Sequence, residues 1–369
     1  MPWFAERGRR ASGWGVAMTR TVGAAVMAAM LVLAATAPAA AQSPTPGGLP
    51  AEVALLNTRQ IDFTSAVNGH AYRIQVSLPR VPPPAAGYRV LYVLDGYNYF
   101  ATAADAVRAN GNAPDVVVVG IGYPFTREWA YGVLDRHVPS GPNRPPSEVT
   151  AISAAVGMER GYDLTLPATE AELAAQALPT GPKQLASDVG GVDDLLKIIE
   201  TEIKPKVAAL TKVDASNQVL FGHSLGGLAT LQALFTEPNA FRTFIVASPS
   251  IWWNNRTVLK GQAAFAAKVK AGEAHPRVMV TMGALESDIP ATAPPGMPLD
   301  ALKARMAMAR MVDNGRELAT SLRAIKGQPP YEAAEYAVFP GQNHGISAWS
   351  AISAGIAFAF QTPPAPAGR

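Results

Sequence analysis

Val219-Leu220-Phe221-Gly222-His223-Ser224-Leu225-Gly226-Gly227-Leu228-Ala229-Thr230-Leu231-Gln232-Ala233-Leu234 decides how the rest of the chain is read. A β-type apolar run leads into a turn with small residues on both sides of one serine, and a helix-type run leaves it. That order predicts a sharp strand-to-helix bend with Ser224 at its apex, in a sparsely populated backbone conformation. Glycines at minus two and plus two, Gly222 and Gly226, would let strand and helix crowd the turn. Ser224 is then expected at the start of the helix, its hydroxyl exposed and available as a nucleophile. G-x-S-x-G also arises by chance, so the flanking strand and helix carry the expectation.

Outward from this bend the chain alternates strands and helices. Upstream, Tyr72, Ile74, Val76 and Leu78 lie on one face of an alternating run, a half-buried antiparallel strand that Pro79 ends. Val90–Leu94 and Val116–Ile121 are continuously apolar, as suits central parallel strands covered on both faces. Helical composition over Tyr97–Asn110 separates them. Residues 139–182, rich in Pro, Gly, Ala and Ser, break the rhythm and read as an insertion over the sheet, either a lid or a disordered segment, with its clearest helix at Glu170–Ala177. Helical spacing returns over Val192–Leu210, with Pro205 kinking or restarting the helix. Downstream come a strand at Phe244–Ala247, a helix around Val258–Val269, a strand at Val278–Met282, one long amphipathic helix over Leu299–Leu322 and a last strand at Ala334–Phe339. No internal repeat interrupts the series, which implies an α/β chain with a mostly parallel, doubly wound sheet and helices on both faces.

The ends and the composition set further bounds. Arg20 precedes an apolar run from Val22 to Ala35, and Ala39-Ala40-Ala41 offers an A-x-A cleavage site before Gln42. Residues 1–41 therefore read as a secretory signal, with Met18 an alternative start and a twin-arginine signal at Arg9-Arg10 the alternative type. The run is shorter than the ~20 apolar residues of a membrane span, so an exported protein, periplasmic or secreted, without a stable membrane anchor is expected. Residues 42–59 are assigned as a flexible lead-in, 60–362 as the folded domain and 363–369 as a tail. The formal charge of +3 resides in the leader, where Arg7, Arg9, Arg10 and Arg20 stand against Glu6. The remainder is near neutral and gives no reason to expect a nucleic-acid partner. With no cysteine, neither disulfides nor a thiolate nucleophile is available. The oligomeric state is not encoded in any of these features.

The bend around Ser224 resembles the nucleophile elbow of α/β-hydrolases, in which serine, acid and histidine follow in that order along the chain. A serine hydroxyl needs a base to take its proton and a third group to orient that base. Of the five histidines, His70 and His137 precede the serine and His223 adjoins it, leaving His275 and His344. The acid is expected just past a strand after the elbow. Glu286, in Gly283-Ala284-Leu285-Glu286-Ser287-Asp288, holds that place, with Asp288 the runner-up. His275 precedes this strand, and His344, directly after the last strand, remains. For the oxyanion, one amide is expected from Leu225 and another from the loop after an early strand, Asp95-Gly96-Tyr97, through Gly96 or Tyr97.

Several stretches together resemble one family, the esterase group that includes ferric enterochelin esterases, S-formylglutathione hydrolase and the mycolyltransferases. They are Leu91-Tyr92-Val93-Leu94-Asp95-Gly96, Val119-Gly120-Ile121-Gly122-Tyr123, Glu202-Ile203-Lys204-Pro205, Gly222 to Gly227, Ser248-Pro249-Ser250-Ile251-Trp252-Trp253 and Asn343-His344-Gly345. The Ser-Pro-Ser-x-Trp-Trp run is most similar to the enterochelin-esterase branch. The resemblance implies an α/β-hydrolase fold and a serine carboxylic-ester hydrolase that works through an acyl-enzyme on a small-molecule ester, with siderophore-type lactones as candidates. It also implies Ser224 as nucleophile, His344 as base and then acid, and Glu286 orienting it. Trp252 and Trp253 are candidates to line the substrate pocket, with plain core packing the alternative; Arg127 and Tyr131 are read as surface residues near it. An acyltransferase with the same triad and a binding protein on a hydrolase scaffold are the alternatives. No metal or cofactor is expected, since H-E-x-x-H, a P-loop and a complete dinucleotide fingerprint are all missing from the sequence.

Overall fold

The continuously apolar runs form the middle of a single sheet. A computed structural model describes residues 54–137, 145–176, 184–289, 298–327 and 331–361. The expected signal, most of the lead-in and the tail lie outside these residues. In chain order the elements are β1 (Thr58–Thr64), β2 (Ala71–Ser77), β3 (Tyr88–Leu94), α1 (Gly96–Ala109), β4 (Val116–Gly122), α2 (Arg127–His137), α3 (Glu148–Asp163), α4 (Glu170–Gln176), α5 (Val192–Ile198) and α6 (Lys204–Leu210). The elbow follows as β5 (Val213–His223) and α7 (Leu225–Thr236). Then come β6 (Thr243–Ala247), α8 (Gln262–Ala271), β7 (Arg277–Gly283), α9 (Leu299–Ala309), α10 (Met311–Arg323), β8 (Glu332–Phe339) and α11 (His344–Phe360).

The strand order is β1-β2-β4-β3-β5-β6-β7-β8. β1 and β2 pair antiparallel, as do β2 and β4, and every pairing from β4 through β8 is parallel. Alternation sends successive side chains to opposite faces. Val90, Tyr92, Leu94, Leu220, Phe244 and Val246 enter one core layer, under α5, α7 and α8. Leu91, Val93, Val219, Phe221 and Ile245 enter the other, under α1 and α11. Each fully buried aliphatic side chain stabilises the fold by roughly 1.5–3 kcal/mol, so the two layers dominate its stability. This is the α/β-hydrolase fold, and its parallel core delivers the carboxyl ends of β3 through β8 to one edge.

Four features depart from the sequence expectations. First, Thr58 and Arg59, assigned to the lead-in, already belong to β1, paired with Ser77 and Val76. Second, much of the described part of the 139–182 insertion is ordered helix, not a disordered segment: α3 packs its buried Ala151, Ala155, Glu159 and Asp163 inward, and Ser147 caps it with a reciprocal Thr150 bond. Third, the single helix expected over 299–322 is two, because Arg310 takes a left-handed conformation (φ 41°, ψ 42°) and ends α9. Asn314 Nδ2 donates to the freed Ala309 carbonyl at 2.9 Å and so heals the break. Fourth, a helix, α11, follows β8; Asn343 caps it through Ile346 N–H, and Ala348, Ile352, Ile356 and Phe360 form its buried stripe.

Pro205 behaves as expected. Ile199–Ile203 wind as a π-helix, which sets Pro205 in the first turn of α6, where its missing N–H forfeits no bond.

Candidate active site

Ser224 stands between β5 and α7 with φ 62° and ψ −120°. For a residue with a side chain this conformation costs about 1–3 kcal/mol, so the surroundings must enforce it. Ser224 N–H donates to Ala247 O at 3.1 Å, and Ser224 O accepts from Ser250 N–H and from Leu228 N–H, both at 3.0 Å. Crowding fixes the glycines: a Cβ on Gly222 would lie 2.0 Å from Gly226 O, and one on Gly227 would lie 2.6 Å from Ala247 O. Gly226, expected to be the second critical glycine, is less constrained, since its Cβ would meet Asp95 Oδ2 at 3.3 Å.

β7 and β8 bring the other two groups to the serine. His344 opens α11, and its Nε2 lies 2.9 Å from Ser224 Oγ. Its Nδ1 lies 2.7 Å from Glu286 Oε2. The Leu285 N–H bond to Gln342 O, 2.9 Å, ties the two loops together. The His344 side chain is 43 % exposed whereas that of Glu286 is fully buried, so the ring opens to substrate while the acid is sealed. Oε1 of Glu286 accepts from Ser248 Oγ at 2.5 Å, Gly283 N–H at 2.6 Å and Ser347 Oγ at 3.0 Å. Burial alone would raise the Glu286 pKa, but His344, Ser248 and the Gly283 amide together hold it below the usual carboxylate range.

A second imidazole lies under the first. His223 is buried, its ring centroid 4.6 Å from that of His344. Burial first, and then the neighbouring His344, push its pKa down to about 3, so it is neutral. Tyr99 OH is 3.2 Å from its Nδ1 and Ser347 Oγ is 3.5 Å from its Nε2. With Ser347 donating to Glu286, one tautomer satisfies every group: Tyr99 O–H donates to Nδ1, and Nε2–H points at Ser347 Oγ. Each hydrogen of this one-way chain points toward the carboxylate.

On the other side of Ser224, β3 ends at Leu94, and Asp95 enters α1 in a left-handed conformation, φ 55°. Arg160 of α3 holds Asp95 in a fork, Nε to Oδ1 at 2.7 Å and Nη2 to Oδ2 at 2.9 Å. Because β3 neighbours β5 in register, Gly96 and Tyr97 lie on the strand end beside Ser224. Leu225 is the first residue of α7, where helix amides have no intrahelical acceptor.

The structure thus brings Ser224, His344 and Glu286 together, with Leu225, Gly96 and Tyr97 on the serine's other flank. Asp288 stays outside: it is exposed, and its place two residues beyond Glu286 carries it out of the loop that meets His344. Trp253 is core, 4 % exposed with Nε1 donating to Leu166 O at 3.3 Å, so packing rather than pocket lining is its role; Trp252 is half-buried beside Met282 and Met311. Arg127 lies over the Tyr131 ring, 5.5 Å from its centroid. Sequence reasoning missed Ser248 and Ser347, which donate to Glu286, and Arg160, which holds Asp95. Ser248 had a signal, as the first serine of the Ser-Pro-Ser-x-Trp-Trp run; Ser347 and Arg160 had none.

Comparison with known proteins gives a consistent picture. The model of the esterase family described as "Putative esterase" matches residues 150–347. The chain is 30 % identical over 306 residues to ferri-bacillibactin esterase BesA of Bacillus subtilis, covering 81 % of this chain and 88 % of that protein. It is also 30 % identical over 334 residues to a siderophore triacetylfusarinine C esterase of Aspergillus fumigatus, covering 86 % and 98 %. Among solved structures it is similar to the BES protein of Bacillus cereus, with TM-score 0.64 and 27 % identity over 85 % of this chain and all of that one.

Proposed function

From the membership of this chain in that esterase family, which makes it a carboxylic-ester hydrolase, we propose that it is an exported serine esterase that opens siderophore ester bonds through an acyl-enzyme on Ser224. The observation that carries this is the continuous line of contacts from Ser224 Oγ to His344 Nε2 at 2.9 Å and from His344 Nδ1 to Glu286 Oε2 at 2.7 Å. Relatives named for esters of bacillibactin and triacetylfusarinine C supply the substrate class. The apolar run and A-x-A site before Gln42 support export.

The steps follow from the contacts. Ser224 Oγ attacks the ester carbonyl carbon while its proton passes to His344 Nε2. Glu286 stays ionised, as its depressed pKa requires, and balances the imidazolium through Nδ1–H. The tetrahedral oxyanion accepts from Leu225 N–H and from an amide at Gly96 or Tyr97. His344 then protonates the leaving alkoxide, the carbon–oxygen ester bond breaks, and the acyl group remains on Ser224. Water, deprotonated by the same imidazole, attacks the acyl-enzyme and releases the acid.

The test is hydrolysis of ferri-bacillibactin followed by chromatography. Wild type should open the ester linkages, and Ser224→Ala should lose about 10⁴-fold or more of that rate; equal rates would refute the assignment. Fractionation of producing cells checks export: the mature chain should start near Gln42 and lie outside the cytoplasm, and full-length protein in the cytoplasm would contradict it.

A further inference from the structure

Two serines of the tripeptide after β6, Ser248-Pro249-Ser250, touch opposite ends of the triad. Ser248 Oγ donates to Glu286 Oε1 at 2.5 Å, and Ser250 Oγ lies 3.4 Å from Ser224 Oγ. The first supports the acid; the second has no part in the proton path from Ser224 to Glu286. Ser250 is 3 % exposed, so bulk water does not serve its hydroxyl, and among the described residues Ser224 Oγ is its hydrogen-bond partner. The backbone holds it there. Ser250 N–H donates to Ser224 O and Ser250 O accepts from Trp253 N–H, both at 3.0 Å, while Ser248 N–H donates to Thr281 O at 2.8 Å. Pro249 restricts its own φ between them, and a Cβ on Gly227 would come within 3.0 Å of Pro249 Cα, so α7 packs directly against the tripeptide.

Counting hydrogens fixes the direction of the contact. His344 Nδ1–H faces Glu286, so Nε2 carries a lone pair and takes the one hydrogen of Ser224 Oγ. Ser250 O–H therefore meets the lone pairs of Ser224 Oγ and is the donor. At 3.4 Å this bond is weak while Oγ is neutral. A contact that is long in the free enzyme tightens in the transition state, and Oγ carries partial negative charge as its proton moves to His344 during attack. It does so again as its bond to the acyl carbon breaks in the second half of the reaction. Only interactions stronger in the transition state than before it accelerate a step. We infer, from this geometry and from the esterase function proposed above, that Ser250 is a further catalytic residue whose hydroxyl donates to Ser224 Oγ in acylation and deacylation. In attack the Oγ–carbon bond forms while the Oγ proton goes to His344 Nε2; in deacylation that bond breaks and His344 returns a proton to Oγ. Ser250 keeps its own proton throughout.

The test measures hydrolysis of p-nitrophenyl butyrate across pH by wild type, Ser250→Ala and Ser250→Thr. Ser250→Ala should keep the wild-type Tm and lose about 10-fold in kcat/KM on the pH plateau. The acid limb of its profile should stay in place, because Glu286 and His344 keep their own partners. A merely structural serine would act through the tripeptide instead: its loss would disturb Ser248 and Glu286, and the acid limb would move. Ser250→Thr, which retains a hydroxyl, should recover most of the loss. Unchanged kcat/KM in Ser250→Ala, a fall accompanied by a shifted acid limb, or an equal fall in a Ser250→Thr protein that melts at the wild-type temperature would overturn the role of Ser250 and leave the esterase function intact. If the added methyl group lowers the Tm of Ser250→Thr, the pH profile of Ser250→Ala decides alone. Wild type that turns over neither p-nitrophenyl butyrate nor ferri-bacillibactin would overturn the esterase function and this role together.

Discussion

Glu286 and Asp163 are both buried carboxylates near the carboxyl edge of one sheet, yet their surroundings drive them to opposite states. Among the described residues, Asp163 accepts from the hydroxyls of Tyr72, at 2.9 Å, and Tyr123, at 3.0 Å. Burial, and then the nearby charge of Glu159, raise its pKa to about 7 against the pull of those two hydroxyls. Glu286 is equally enclosed, but three donors converge on one oxygen and an imidazole meets the other. Burial alone therefore does not decide whether an acid can stabilise a cation; the count and charge of its donors do. Asp163 is suited to a structural bond network, Glu286 to holding His344 through a proton transfer.

The largest expected effect breaks the contrast at the active acid. Glu286→Gln keeps the shape and removes the anion, and kcat for ester hydrolysis should fall about 10⁴-fold. Asp163→Asn, which replaces an acid already poised to be neutral, should change kcat by less than about 10-fold. Similar losses in both variants, measured side by side, would mean that the two acids are not functionally distinct.

Stability against pH separates the two regions by sign. An acid with a raised folded pKa contributes stability that is lost as pH climbs from its unfolded value near 4 toward 7, because unfolding then releases a proton. A histidine with a depressed folded pKa does the reverse: from about 6.5 down toward 3 the unfolded chain binds a proton that buried His223 refuses. Between pH 4 and 6.5 these two contributions oppose each other, each about 1.4 kcal/mol per pH unit. Urea unfolding of Asp163→Asn should accordingly gain a positive slope with pH relative to wild type, and His223→Gln a negative one. Parallel profiles in all three proteins would contradict the assigned protonation states.

The smallest effect sharpens the donor count. Ser347→Ala removes one of three donors to Glu286 Oε1, so kcat/KM should fall about 10-fold and its acid limb should move to higher pH, because the carboxylate loses support. A fall in rate without that movement would assign Ser347 to packing alone.

These regions also differ in how far the sequence exposed them. The elbow and Glu286 were legible because parallel strands buried on both faces read as unbroken apolar runs, β5 before Ser224 and β7 before Glu286, whereas His344 follows the edge strand β8 and was legible from the order serine, acid, histidine. β1 was not, since Thr58-Arg59-Gln60-Ile61-Asp62-Phe63-Thr64 is an edge strand with mostly half-exposed or exposed side chains. α3 escaped for a related reason: its buried positions are Ala151, Ala155, Val156, Glu159 and Asp163, and two small residues and two acids beside a single branched aliphatic one mark only a faint apolar period. No glycine or proline marks the break at Arg310. The donors around Glu286 come from Ser248 and Ser347, 38 and 61 residues away, and tertiary structure alone pairs them.

The most direct measurement of the central claim, that Ser224 is the nucleophile and Glu286 keeps His344 able to activate it, is intact-mass spectrometry after exposure to a fluorophosphonate. Wild type should gain a single phosphonyl group, on the peptide containing Ser224. Ser224→Ala should gain none, and Glu286→Gln should label far more slowly. Labelling of Ser224→Ala, or wild type left unmodified, would contradict the account.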